Sequence, residues 1–276
     1  MNSQKIQADN PRNQDGIGEQ ELLVVSVGTA QAQTRLTLGA IEDSMENAFP
    51  QFTVRRCFSN QTILNRIKQR EGVSIDNVEE ALRRAKANGV RNLVIQPTHM
   101  MDGLEYRKVV AEAARYSNSF GSLAIGAPLL TSDKDFEVVA DTLVSCTSAY
   151  HDGRTAVCFM GHGTEAASNE VYARMQKLLS DRGWSHYFIG TMEAHPTAED
   201  VLAMVKSGNY RRVVLRPLMI VSGGHIQNYM AGDQNHSWKR IFEGAGYAVI
   251  CQQQGLGDLA PIRELLAAHA RAVMQE

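Results

Sequence analysis

Cysteine is scarce in this chain: Cys57, Cys146, Cys158 and Cys251 are the only 4 in 276 residues, and none forms a CxxC pair. That excludes a disulfide framework and a cysteine-built zinc site. Cys57, Cys158 and Cys251 lie in apolar, strand-like runs and read as buried thiols. An excess of charge is also missing. Lys and Arg number 28 against 30 Asp and Glu, a formal net charge of -2. No broad positive field exists to neutralise many phosphates, so nucleic acid is not an expected partner. No apolar run is long enough to span a bilayer, so no membrane partner is expected either. The first twenty residues are polar, contain Pro and Gly, and lack the apolar stretch of a signal peptide. Residues 1–20 are expected to form a flexible tail, and the compartment is expected to be the cytoplasm. Several catalytic signatures are missing as well. There is no G-x-G-x-x-G between strand and helix, no Walker A loop, no H-E-x-x-H and no G-x-S-x-G. The segment GHGTEAAS (161–168) resembles a phosphate loop but has no lysine. Dinucleotide redox chemistry, NTP hydrolysis and serine hydrolysis lose their support.

What is present is a regular alternation. The hydrophobic fraction of 43% supplies real cores, and the length suits two small domains better than one. LLVVSV (22–27) is a continuous apolar run, as in a strand covered on both faces. Leu36, Ala40, Ile41 and Met45 then fall on one helical face. FTVRRCF (52–58) reads as a weaker strand. Asp76 with Glu79 reads as a capping box before a helix through Val78, Ala81, Leu82 and Ala85, which Asn88-Gly89 closes. NLVIQ (92–96) is the next strand. In the second half the strands are TAVCFM (155–160), SHYFIG (185–190), RVVLR (212–216) and YAVICQ (247–252). Helices follow through Val171, Met175 and Leu178, after Thr197, and over 258–274.

The halves read as divergent copies. SVGT (26–29) matches GHGT (161–164), and GVRNLVIQP (89–97) matches NYRRVVLRP (209–217). Pro97 and Pro217 are each followed six residues later by a glycine, Gly103 and Gly223, and two further on by Glu105 and His225. Alternating βα units predict two α/β domains, each a parallel sheet flanked by helices. The boundaries fall at 21–150 and 151–276, with the terminal helix packing back on the first domain. Ligands in such sheets bind at the carboxyl ends of the strands, so the site is expected in the interdomain cleft.

Three loops at that edge of the second half carry chemistry. His162 follows a strand between two glycines, which let a ligand approach the backbone closely. A histidine there also serves simply to cap a helix. His225 follows Ser222-Gly223-Gly224, a sharp or mobile loop. Glu193 and His195 share TMEAHP before a helix, where an acidic residue also favours the helix N-terminus; position alone does not choose between them. Two imidazoles and one carboxylate suit Fe(II), Co(II), Ni(II) or Zn(II), and three protein ligands leave positions open for a substrate. The first half offers Gly28-Thr29, His99, Met100, Met101 and Glu105. Arg35, Arg107 and Arg216 lie near the same edge, where arginines bind carboxylates.

These segments resemble a known family. VSVGT (25–29), QPTHMMDGLEY (96–106), FMGHGTE (159–165), GTMEAHPT (190–197) and RPLMIVSGGHIQNYMAGD (216–233) are similar to the anaerobic sirohydrochlorin cobalt chelatases of cobalamin synthesis, related to ferrochelatases. The resemblance implies that His162 is catalytic base and metal ligand, that Glu193 is a ligand with a catalytic share, and that His225 is the remaining ligand. It implies a bilobal chelatase fold with the active site between the domains; the residues expected to line sirohydrochlorin there are Gly28, Thr29, His99, Glu105, Gly163, Ser222, Gly223 and Gly224. The implied reaction inserts Co(II), with no cofactor beyond the metal substrate. Fe(II) insertion to make sirohaem, and a non-catalytic tetrapyrrole- or metal-binding module, are the alternatives. Some relatives are oligomers, so a homo-oligomer stands beside the monomer.

Overall fold

The computed structural model describes residues 9–224 and 226–274. The first half runs β1 (Gln20–Ser26), α1 (Ala32–Ala48), β2 (Thr53–Phe58), α2 (Gln61–Glu71), α3 (Val78–Ala87), β3 (Asn92–Pro97), α4 (Leu104–Ala114), β4 (Ser122–Ile125) and α5 (Asp133–Ser145). The second runs β5 (Thr155–Gly161), α6 (Glu170–Asp181), β6 (Tyr187–Thr191), α7 (Ala198–Lys206), β7 (Arg212–Pro217), a π-turn (Ile226–Met230), α8 (Trp238–Gly244), β8 (Ala248–Cys251) and α9 (Ala260–Met274). The strands form two parallel four-stranded sheets, ordered β2-β1-β3-β4 and β6-β5-β7-β8. The sequence repeat is thus a repeat of topology. It extends to single bonds: the residue after each strand-ending proline donates to the central strand, Thr98 N–H to Val25 and Leu218 N–H to Met160, both at 2.8 Å.

The middles of the central strands are apolar because helices cover both faces. Leu23, Val25, Leu93 and Ile95 pack on Ala81, Leu82 and Ala85 of α3 and on Val109 and Ala113 of α4. Leu22, Val24 and Val94 belong instead to a core with Leu38, Ile41 and Met45 of α1 and Ile262 and Leu266 of α9. That core continues into the second half through Phe136 and Leu143 of α5 to Phe159, Tyr172, Met175 and Ile189. The reason is a double crossing of the chain. α5 packs on α6 and α9, while α9 packs on α1, β3 and β4. Ion pairs mark both seams: Arg182–Asp141 at 2.7 Å between α6 and α5, and His269–Asp135 at 3.0 Å between α9 and α5. Among the described residues no helix is long and apolar enough to cross a membrane.

Local readings shift in four places. The capping box before α3 is Asn77 with Glu80, one residue later than expected. Asp76 turns inward instead, 2.7 Å from Arg84 and 3.7 Å from Arg55. α6 buries Tyr172, Met175 and Leu179, with the phenolic edge of Tyr172 packed against Gly161, where a Cβ would collide with it. α1 buries Arg35 and Glu42 while Leu36 is exposed, since both find charged partners, Arg35 in Asp9 and Glu71 and Glu42 in Arg12 and Arg56. Finally, residues 9–19 do not project freely. Asp9 bonds Arg35 at 2.6 Å and Arg56 at 2.7 Å, and buried Arg12 pairs with Glu42, Asp43 and Glu46. Residues 1–8 of the expected tail lie outside the described residues.

Candidate metal centre

β5 and β6 are paired with Gly161 opposite Thr191. The pairing runs on past the strands. The His162 carbonyl accepts from Met192 N–H at 3.2 Å and from Glu193 N–H at 2.9 Å. Two loops are thereby zipped together, and their side chains leave the sheet edge side by side. His162 Nδ1 stands 3.3 Å from Glu193 Oε2 and 3.2 Å from the Gly163 carbonyl. Both side chains are about half exposed, at 47% and 54%. Gly163 makes the approach feasible. Its φ is +86°, and a Cβ there would fall 2.8 Å from Thr191 Cβ and 2.9 Å from Ala194 N.

Three residues that support this pair carried no legible signal. Tyr172 Oη accepts from Gly163 N–H at 3.3 Å. Asn169 ties the two loops together, accepting from Thr164 N–H at 3.0 Å and donating to the His195 carbonyl at 2.8 Å. Thr191 Oγ1 accepts from Ala194 N–H at 3.2 Å. His195 separates from Glu193: its side chain is 84% exposed and held 2.7 Å from Asp200. That carboxylate, bonded by Thr197 N–H and by His195, titrates below its ordinary range.

The loop after β7 reaches the first half. The Ser222 carbonyl accepts from Thr34 Oγ1 at 3.2 Å, and a Cβ on Gly223 would stand 3.4 Å from Thr29 Oγ1. Gly224 lies beside Gln31. His225, the third expected ligand, lies outside the described residues. Among the described residues no group of three His, Cys, Asp or Glu is placed to hold a metal. On the first-half side, Gly28 has φ +94°, and a Cβ would strike the Phe58 ring at 2.6 Å. Thr29 is buried beside it. His99 is buried with both ring nitrogens unpartnered, and burial drives its pKa down to about 4. Glu105, nearby at the start of α4, accepts from Ser59 at 3.4 Å and from Lys108 at 2.6 Å.

The expected carboxylate-binding arginines divide differently. Arg35 is fully buried on Asp9 and Glu71. Arg216 is buried against the Cys146 carbonyl, Gln252 and Gln254. Both direct their guanidinium donors to protein partners in the interior. Arg107 is exposed and paired with Asp102 at 2.9 Å.

Residues 20–275 match the cobalt chelatase (CbiK) family. The chain belongs to that family. This chelatase is 31% identical over 249 residues to a sirohydrochlorin cobaltochelatase of Salmonella typhimurium, covering 90% of this chain and 94% of the relative. It is 29% identical over 276 residues to the sirohydrochlorin cobaltochelatase CbiKC of Nitratidesulfovibrio vulgaris, covering 99% and 95%. Its fold resembles that of the sirohydrochlorin chelatase SirB from Bacillus subtilis subspecies spizizenii, solved in complex with cobalt. The TM-score is 0.64 at 11% identity, over 94% of this chain and 96% of the other. The chelatase is an α/β enzyme of two repeated parallel sheets.

Proposed function

We propose that this chelatase inserts Co(II) into sirohydrochlorin, with His162, Glu193 and His225 as metal ligands and His162 also as proton acceptor. The observation that carries the reading is the His162–Glu193 pair, 3.3 Å apart at the carboxyl edge of β5 and β6, within a chain of this family. Two donors each about 2.1 Å from one ion stand roughly 3–3.4 Å apart when they are cis in an octahedron or adjacent in a tetrahedron. The pair is therefore spaced either to share a proton or to hold a metal, and a metal displaces that proton on binding. Sirohydrochlorin must lose its inner pyrrole protons as the ion sheds its water. A neutral imidazole suits both tasks, and the carboxylate offsets part of the ion's charge. Half exposure of both side chains suits an ion that must leave again with the product. Gly28, Thr29, His99, Glu105, Gly163, Ser222, Gly223 and Gly224 are proposed to face the macrocycle.

The donor set does not separate Co(II) from Fe(II), and Co(II) is preferred on the names of the two curated relatives. Anaerobic absorbance spectra of sirohydrochlorin with substoichiometric enzyme and Co(II), Fe(II) or Ni(II) test the proposal. Multiple turnovers well above the uncatalysed rate, fastest with Co(II), are expected. Stoichiometric binding without turnover would assign the chain a carrier role instead.

A further inference from the structure

The loop that carries His225 begins with Gly223 and Gly224, the two most freely moving residues available. A ligand at the next position is held in place only if the loop is held. From its own half the loop is anchored by Ile226 and Met230, both fully buried in the core with Trp238. From the other half it is gripped on both sides of position 225. Thr34 Oγ1 lies 3.2 Å from the Ser222 carbonyl, and Gln31 Nε2 donates to Gln227 Oε1 at 2.8 Å. The two grips are joined, since Thr34 Oγ1 also lies 3.1 Å from Gln31 Oε1. Both residues come from the start of α1. Gln31 occupies its N-cap position but makes no side-chain cap bond there; its amide reaches across to the second half.

We propose that Gln31 and Thr34 are positioning residues that fix the metal-binding loop 222–227 from the opposite half, so that the start of α1 sets the affinity for the metal. The inference rests on the assignment of His225 as a ligand. Neither residue touches the ion; each acts through the loop.

The test titrates Co(II) alone into the full-length wild type and into Gln31→Leu, Thr34→Val, Gln227→Leu, Gln31→Leu/Gln227→Leu and His225→Ala. The KM for Co(II) and for sirohydrochlorin, and the Tm, are measured alongside. The expected result is about tenfold weaker Co(II) binding in Gln31→Leu and in Thr34→Val, the size of one lost hydrogen bond. The KM for Co(II) rises in parallel, the Tm holds, and the double variant is no worse than Gln31→Leu. Wild-type Co(II) binding in Gln31→Leu and Thr34→Val, with His225→Ala defective, overturns the positioning role and leaves the ligand assignment standing. A loss of affinity that follows a fall in Tm overturns it in favour of a structural role. Wild-type binding in His225→Ala overturns the ligand assignment, and the positioning role with it.

Discussion

In the first half the strand flanking the centre, β2, turns Arg55 and Arg56 inward; its counterpart β6 carries Tyr187, Phe188 and Ile189 and no charge. Around β2 the buried charges form a web. Arg55 bonds Glu21 at 2.8 Å, and Arg56 holds Glu42 and Asp9, each at 2.7 Å. Burial pushes Glu21 up to about 7 and raises Glu42, while their arginines pull both back. In the second half the acid and base of interest, Glu193 and His162, stand half exposed at the sheet edge. At the position matching His162 the first half has Val27, 37% exposed. One topology thus serves two uses of charge. In one it is buried and paired within the protein, and in the other it is displayed at the edge where the proposed metal site lies.

The largest expected effect breaks that contrast if it fails. Arg56→Ala leaves Glu42 and Asp9 without their partner and should cost about 3–5 kcal/mol, the usual cost of breaking a buried ion pair. Replacing Arg56 and Glu42 together by Met and Leu should recover much of it, because no charge is then stranded. Urea unfolding measures both. A wild-type midpoint for Arg56→Ala would mean that the web is incidental.

The second half should behave in the opposite way. His162→Ala is expected to lower kcat by about 10²–10⁴-fold, the range for losing a positioned acid or base. Its stability should move by less than about 1 kcal/mol, since the side chain is half exposed. Steady-state metal insertion and Tm, read on the same preparation, separate the two. Full activity would remove His162 from the reaction, and a large fall in Tm would make it a structural residue like those of β2.

A pH series sharpens the comparison within the first half. His99 titrates at about 4 when folded and near 6.5 when unfolded. The unfolded chain therefore binds the extra proton between those values. The contribution of His99 is fully present above pH 6.5 and is lost as pH falls through 4, by about 2–3 kcal/mol between pH 7 and 4.5. Glu21 has the opposite sign. Its folded value of about 7 lies above the ordinary 4.5, so its contribution is complete below 4.5 and is lost as pH rises through 7. The difference between wild type and His99→Leu isolates the histidine. The denaturant midpoint of the wild type should fall relative to that of His99→Leu as pH goes from 7 to 4.5, and parallel curves would show that His99 is not buried as a neutral ring.

The alternation of strands and helices was legible because an apolar run such as 22–27 has one reading once helices cover both faces. The destinations of α5 and α9 were less so. Periodicity shows that Phe136 and Leu143, or Ile262 and Leu266, face a core, but not which sheet supplies it. α1 misled because Arg35 and Glu42, polar by composition, are inward-facing through partners 14 to 36 residues away. At the site, His162 and Glu193 stood out because glycines and strand ends frame them. Tyr172, Asn169 and Gln31 did not, because they act through hydrogen bonds to loops that only the fold brings near. His195 looked equivalent to Glu193 in sequence; the Asp200 carboxylate of the following helix start distinguishes them.

The smallest effect compares the copies position by position. Gly28 and Gly163 are matched by the repeat, and both have left-handed backbones, at φ +94° and +86°. Gly183, at φ +82°, shares the conformation but has nothing within 4 Å of where a Cβ would lie. Gly183→Ala should cost about 1 kcal/mol, from backbone strain alone. Gly28→Ala and Gly163→Ala should cost about 1–3 kcal/mol, since the new Cβ also meets Phe58 or Thr191. The two should differ in activity. At Gly163 the colliding atoms belong to the loop that carries Glu193, so its relief moves Glu193 away from His162 and lowers kcat along with Tm. At Gly28 the collision falls on the Phe58 ring at the end of β2 in the first half, so Tm should fall and the KM for sirohydrochlorin rise, with kcat changed far less. Equal losses of kcat in the two variants would show that the first half's loop lies as close to the reacting atoms as the second's.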